Sequence, residues 1–465
     1  MKHLRWLVLA CAVSLVAAGC SRSDDGDSSA SSTTASTAAS TSDTSGGSFG
    51  TLKDICGPGT AKGATDQGVT DDSIRVATFA DPGFAGRPGL DQELFDSAKV
   101  FAEWCNAAGG INGRKIKVVE RDAKLTEYKQ RITEACASDF FLVGGGAVFD
   151  DTGQDERLSC LLPDVPAYLV SPTARGADLE APPLPSALDE VSVGVYQYLQ
   201  KKFPASTDHV GFMTGNVPAT VTVDKQNQEG VKQLGWKVVY QTQYNAAGEA
   251  SWTPFAQAMK QKGVRGVVYT GEPENGAALL KAFDDIDYHP DWMVVGANFL
   301  DENFIKVGGQ AVKNVFTIAS IVPFFLADKN PPTQQYLDLF QKYLPSGKSK
   351  AVLGYNSWSA WLLFATSAKK CGADLTRKCV FDNAKSVKEW TGGGLHASTN
   401  PSSSKGPRCG MIIEASSSGF SVPKDFKATD DGLYHCDDSS VVQLKGDYGK
   451  GAKLSDVGKS MDDLK

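Results

Sequence analysis

Positive charge is in deficit in this chain of 465 residues: 47 lysines and arginines stand against 54 aspartates and glutamates, for a formal charge of −7. Nucleic-acid binders need a basic face, so that class is set aside, whereas a local pocket for a small anion is not. Histidine is scarce. Beyond the leader, His209, His289, His396 and His435 are scattered without HxH or HExxH spacing, and no CxxC occurs, so no metal site is expected. Walker A and GxGxxG runs are missing. The pairs Ser367-x-x-Lys370 and Ser402-x-x-Lys405 lack companion motifs, so neither an enzyme nor a cofactor is expected. After the first nineteen residues no apolar run is long enough to span a bilayer.

What is present begins with an address. Lys2 and Arg5 precede an apolar stretch, Leu7–Val16, too short for a mature membrane span. Ala17-Ala18-Gly19-Cys20 then resembles a bacterial lipobox, with Ala17 where leucine is more usual. This reading makes 1–19 a signal peptide and Cys20 the lipidated residue that holds the protein on the outer face of the cell membrane. An ordinary secretory signal would also export the chain. Residues 21–50 are almost all Ser, Thr, Ala, Asp and Gly and bury nothing, so 20–55 reads as a disordered tether with a reach of roughly 30 Å.

Eight cysteines remain after Cys11 and Cys20: Cys56, Cys105, Cys136, Cys160, Cys371, Cys379, Cys409 and Cys436. An even number in an exported chain points to disulfides, although sequence leaves the pairing open. Cys371 and Cys379 are close enough to clip one loop. Cys136 and Cys160 end successive predicted helices. Elimination then suggests Cys56–Cys105 and Cys409–Cys436.

The length suits two to three domains. From Ser73 short β-branched runs alternate with helical spacing: strands at 74–80, 115–120, 140–143 and 167–170, helices at 91–107, 126–138 and 152–162. The rhythm resumes with helices at 189–203, 220–234, 252–262 and 273–285 and strands at 209–213, 237–244, 265–270 and 292–296. A proline-rich break at Glu180–Pro185 separates the halves. A strand near 315–321, helices at 333–343 and 352–370 and a late strand at 410–414 follow. Repeated βαβ units predict an α/β fold with two parallel-sheet halves and a cleft at the strand ends.

The run Asn106-Ala107-Ala108-Gly109-Gly110-Ile111-Asn112-Gly113-Arg114-Lys115-Ile116 resembles a signature of type I periplasmic solute-binding proteins, the leucine/isoleucine/valine-binding family of ABC importers. The resemblance extends over about Thr70 to Tyr434 and weakens after Lys370. It implies two doubly wound lobes joined by a hinge with three crossovers, here 71–188 plus 316–408 and 189–315 plus 409–445, with a flexible tail at 446–465. It also implies a monomer that captures a small solute, an amino acid or related carboxylate, and delivers it to a membrane ABC permease. A ligand-sensing receptor with the same clamshell, and a larger apolar or aromatic acid as ligand, are the alternatives.

By the same resemblance the loop after the third strand, with Gly146, Ala147, Val148 and Phe149, faces the ligand, although the usual serine is replaced. Asp150 and Asp151 beside it would oppose a carboxylate unless they cap the helix. Thr173 and Arg175 follow the fourth predicted strand, and Arg175 is suited to a carboxylate. Phe84 follows the first strand. Across the cleft stand Asn216, Glu272 and Asn298, the last where amino-acid binders carry a carboxylate for the ammonium. Tyr355 offers an aromatic wall, whereas Trp358, Trp361 and Phe364 read as core.

Overall fold

The computed structural model describes residues 46–429 and 432–465. The signal segment, Cys20 and most of the expected tether lie outside them. The first sheet is built by β1 (Ser73–Ala80), α1 (Gln92–Ala107), β2 (Lys115–Asp122), α2 (Tyr128–Ser138), β3 (Phe141–Val143), α3 (Gln154–Ser159) and β4 (Asp164–Val165). Its order is β2-β1-β3-β4, all parallel, with Val76 opposite both Val118 and Phe141. After β5 (Glu190–Ser192) come α4 (Gly194–Lys202), β6 (Val210–Gly215), α5 (Pro218–Gln233), β7 (Val238–Tyr244), α6 (Thr253–Gln261), β8 (Gly266–Thr270), α7 (Pro273–Asp285), β9 (Trp292–Val294), α8 (Glu302–Gly308) and β10 (Val315–Ala319). Helices α9 (Pro331–Tyr343), α10 (Val352–Lys370) and α11 (Arg377–Ser386) precede β11 (Cys409–Ser416), β12 (Gly419–Ser421), β13 (His435–Cys436) and β14 (Val441–Gln443).

The second sheet has the order β12-β11-β10-β9-β8-β6-β7. It is parallel from β7 to β10 and antiparallel where β11 joins. Strand β6 is buried along its whole length, as a parallel strand covered on both faces must be. The fold is therefore mixed α/β with parallel sheets. Helix α10 is apolar nearly all round and lies in the core of the first lobe, where Trp358 and Trp361 pack on Phe101.

The 106–116 run has a structural task. Asn106 receives the Ile116 amide at 2.8 Å and gives Nδ2 to the Ile116 carbonyl at 2.9 Å, joining the end of α1 to β2. Gly109 and Gly110 turn the chain at φ 121° and 85°, where a side chain would be strained. Buried Arg114 donates to the carbonyls of Thr70, Gly63 and Ala373.

All four suggested disulfides are present: Cys56–Cys105, Cys136–Cys160, Cys371–Cys379 and Cys409–Cys436.

Several expectations are corrected. The fourth strand is Asp164–Val165, not 167–170, because Pro166 interrupts the ladder of donors. Residues 168–170 are apolar because they face the cleft, not because they pair in a sheet. The 189–203 helix divides into β5 and α4, and α11 was not anticipated. The expected tether cannot reach Leu52–Ile55: Phe49 is fully buried against Trp104 and Trp358, and Gly50 donates to Gln335. Nor is 446–465 a free tail. Ala452 exchanges backbone bonds with Thr173 and Asp178, and Leu454 and Leu464 enter the first core. Apolar residues spaced among charged ones supply that anchorage.

Candidate functional site

A cavity of about 850 Å³ lies between the strand-end loops of the two sheets. Parallel strands aim their carboxyl-end loops at one edge, so each lobe contributes a wall. Leu90, Leu125, Val148, Phe149, Leu169 and Val170 line the first side, and Val191, Val195, Val217, Val268, Val294 and Ile318 the other. The lining is thus dominated by aliphatic and aromatic side chains.

Of the residues expected at the site, Phe84, Val148, Phe149, Arg175, Asn216, Glu272 and Asn298 lie on this cavity. Gly146, Ala147, Thr173 and Tyr355 do not. Gly146 sits beneath the Tyr168 ring, where a Cβ would come within 2.3 Å. Ala147 is buried in a satellite core with Phe79 and Tyr128. Thr173 lines a neighbouring hollow of about 420 Å³ shared with Lys450 and Gly451. Tyr355 packs against Tyr336, ring centroids 4.2 Å apart, inside the first core. Sequence reasoning missed Arg87, Asp91 and Tyr168; Arg87 lay in a loop already noted, and Tyr168 was hidden in a run read as strand.

The polar groups of the walls are largely engaged with each other. Asp81 accepts from the amides of Leu125 at 2.6 Å and Val148 at 2.9 Å. Asp150 accepts from the amides of Val170 at 2.7 Å and Ser171 at 2.9 Å, so it ties two loops together and does not cap α3. Burial pushes the Asp150 carboxyl up to about 6, against the lowering effect of those bonds. The loop amides suited to a ligand carboxylate therefore already hold carboxylates of the chain. Tyr168 donates to Asp91 at 2.6 Å, and burial, with Glu93 and Glu272 nearby, holds Asp91 well above the usual carboxylate range.

On the opposite wall, Asn298 donates to the Gly271 carbonyl at 3.0 Å, and Asn216 accepts from Ala246 at 3.1 Å. Glu272 and Glu274 pair with Arg87 of the first lobe, each at 2.5 Å. Burial opposes the charge on Arg87, but the two carboxylates outweigh it and its pKa is raised. Arg175 is buried beside the crossover, the stretch around Ser186 and Ala187 that leads from the last strand of the first sheet to β5. It donates to Gln226 at 3.0 Å and to the carbonyls of Ala187 and Ser186. Among the described residues no cluster of His, Cys, Asp or Glu is arranged to hold a metal ion, and no helix is long and apolar enough to cross a membrane.

The fold is shared with known transport proteins. A fatty acid ABC transporter substrate-binding protein from Thermomonospora curvata superposes with a TM-score of 0.67 at 15% identity, over 83% of this chain and 98% of that one. The branched-chain amino acid transporter substrate binding protein of Streptococcus pneumoniae, in complex with isoleucine, gives 0.61 at 17% identity over 75% and 98%. A branched chain amino acid ABC transporter from Thermus thermophilus with bound valine gives 0.63 at 15% over 77% and 98%. No curated protein matches the chain significantly. The family model described as periplasmic binding protein matches residues 187–419, half of the sequence. The chain belongs to the periplasmic binding protein family.

Proposed function

We propose that this protein is an extracytoplasmic solute-binding lipoprotein, anchored through Cys20, that captures a predominantly apolar solute larger than an α-amino acid and delivers it to an ABC importer. The observation that carries the ligand class is a large aliphatic cleft whose expected amino-acid contacts are already occupied. An α-amino acid needs a partner for its carboxylate and one for its ammonium. Asp81 and Asp150 fill the loop amides, and Glu272 is held by Arg87. The ammonium of an amino acid would have to displace the Arg87–Glu272 pair, whereas an apolar body gains simply by leaving water, about 25 cal/mol per Å² buried. The cavity volume is within the range of drug-sized ligand sites. The fatty-acid-transporter relative supports the same class, and the four disulfides suit an oxidising compartment.

Thermal shift with leucine, valine, octanoate, cinnamate and 1-octanol tests this. A ligand at a hundred times its dissociation constant stabilises by about 2.7 kcal/mol. Upward shifts with the apolar compounds are expected. A response confined to leucine and valine would return the protein to amino-acid transport. Cys20→Ala should release the protein from the membrane fraction.

A further inference from the structure

We propose that Arg175 anchors a carboxylate on the captured solute, so that the natural ligand is a monocarboxylic acid with an apolar body. This rests on the reading of the cleft as an apolar solute site.

The cleft wall carries two cations among the described residues, Arg87 and Arg175. Arg87 is covered by two carboxylates. Arg175 is 4% exposed, yet its acceptors are all neutral: the Gln226 amide oxygen and the carbonyls of Ala187 and Ser186. Among the described residues no carboxylate oxygen lies within ion-pair distance of it. The acid that influences it most, Asp150, has its oxygens bound by the Val170 and Ser171 amides.

A guanidinium has five N–H groups in a planar fork, and these bonds use one on each of its three nitrogens. Each terminal nitrogen keeps one N–H for a further acceptor. A buried cation without a counter-ion is costly, and a carboxylate offers the two parallel oxygens that such a fork accepts. Burial pulls the Arg175 pKa down to about 10, which still leaves it charged at neutral pH. Val191, Val195 and Val223 line the same cavity and suit the acid's apolar body.

The test pairs each acid with its alcohol: octanoate with 1-octanol, cinnamate with cinnamyl alcohol, titrated calorimetrically at pH 7.5. The intact protein should prefer the acid of a pair by about tenfold or more. Arg175→Gln, which keeps donors for the crossover carbonyls, should abolish that preference and leave alcohol affinity within about threefold. Equal binding of acid and alcohol by the intact protein overturns the assignment even if the variant fails to fold. So does an acid preference that survives in Arg175→Gln. Equal weakening of acid and alcohol in the variant would make Arg175 a strut for the crossover and likewise overturn it. Alcohol binding without acid preference sinks the carboxylate anchor alone. Failure of every compound sinks the apolar-solute reading and the anchor with it.

Discussion

Arg87 and Glu272 meet at 2.5 Å across the cleft, one on the loop after β1 and the other at the entrance to α7, so the two lobes are tied at the mouth of the cavity by opposite charge. Glu274 completes the clamp on the other terminal nitrogen of the guanidinium. The partners are about one-quarter to one-third exposed, which limits the pair's contribution to about 1 kcal/mol. Arg87→Gln should therefore shift the unliganded population toward the open form by roughly fivefold. Small-angle scattering should show a larger radius of gyration. Superimposable curves for variant and parent would mean the clamp does not control closure.

Gly146 supports the cleft without facing it. A methyl group there would press on the Tyr168 ring, which holds Asp91 and forms part of the wall. Gly146→Ala should cost about 1–3 kcal/mol of stability and weaken ligand binding, because the ring must move into the cavity. Denaturant unfolding and titration with octanoate read the two effects. Unchanged values in both would show that the ring yields freely.

Asp224, on α5, accepts from Gln228 Nε2 at 2.7 Å on one oxygen, and its other oxygen has no partner among the described residues. Burial raises its pKa from 3.8 to about 6. A carboxylate raised on folding lowers stability as pH rises through this interval, since the folded state holds the proton more tightly. Asp224→Asn should then stabilise the protein by about 2 kcal/mol at pH 7.5 and have little effect at pH 3.5. Melting curves at the two pH values decide; a gain that does not vary with pH would contradict the assignment.

The Cys56–Cys105 bridge closes a loop with a sequence separation of 49 and fastens the 46–57 segment to α1. Replacing both cysteines with serine should cost about 4 kcal/mol by the loop-entropy relation. Limited proteolysis should then cut near Phe49 before the core opens. Retained resistance would show that Phe49, packed between Trp104 and Trp358, holds the segment alone.

Much of the architecture was legible because it follows from local rules. Alternating β-branched runs and helical spacing located most strands and helices, and α7 and α10 have the predicted bounds. The 106–116 run identified the family through residues that turn and brace the chain, not through ligand contacts. The candidate site was less legible. Phe84, Val148, Phe149, Arg175, Asn216, Glu272 and Asn298 were placed on the cavity by their loops, yet their partners could not be read from spacing. Tyr355 failed as a wall residue because α10 buries every face, so position on a helix did not distinguish cleft from core.

Hydrophobic period and turn residues by themselves determined the α/β class and the two sheets, and the resemblance carried by the 106–116 run supplied the family. Tertiary structure alone decided what the cleft can accept. Asp81 reaches Leu125 and Val148, Arg87 reaches Glu272, and among the described residues Arg175 finds neutral acceptors, through contacts between residues far apart in the chain. Short-range propensity depends on neighbours within a few positions, whereas the charge balance of a cavity depends on which distant loops fold against one another.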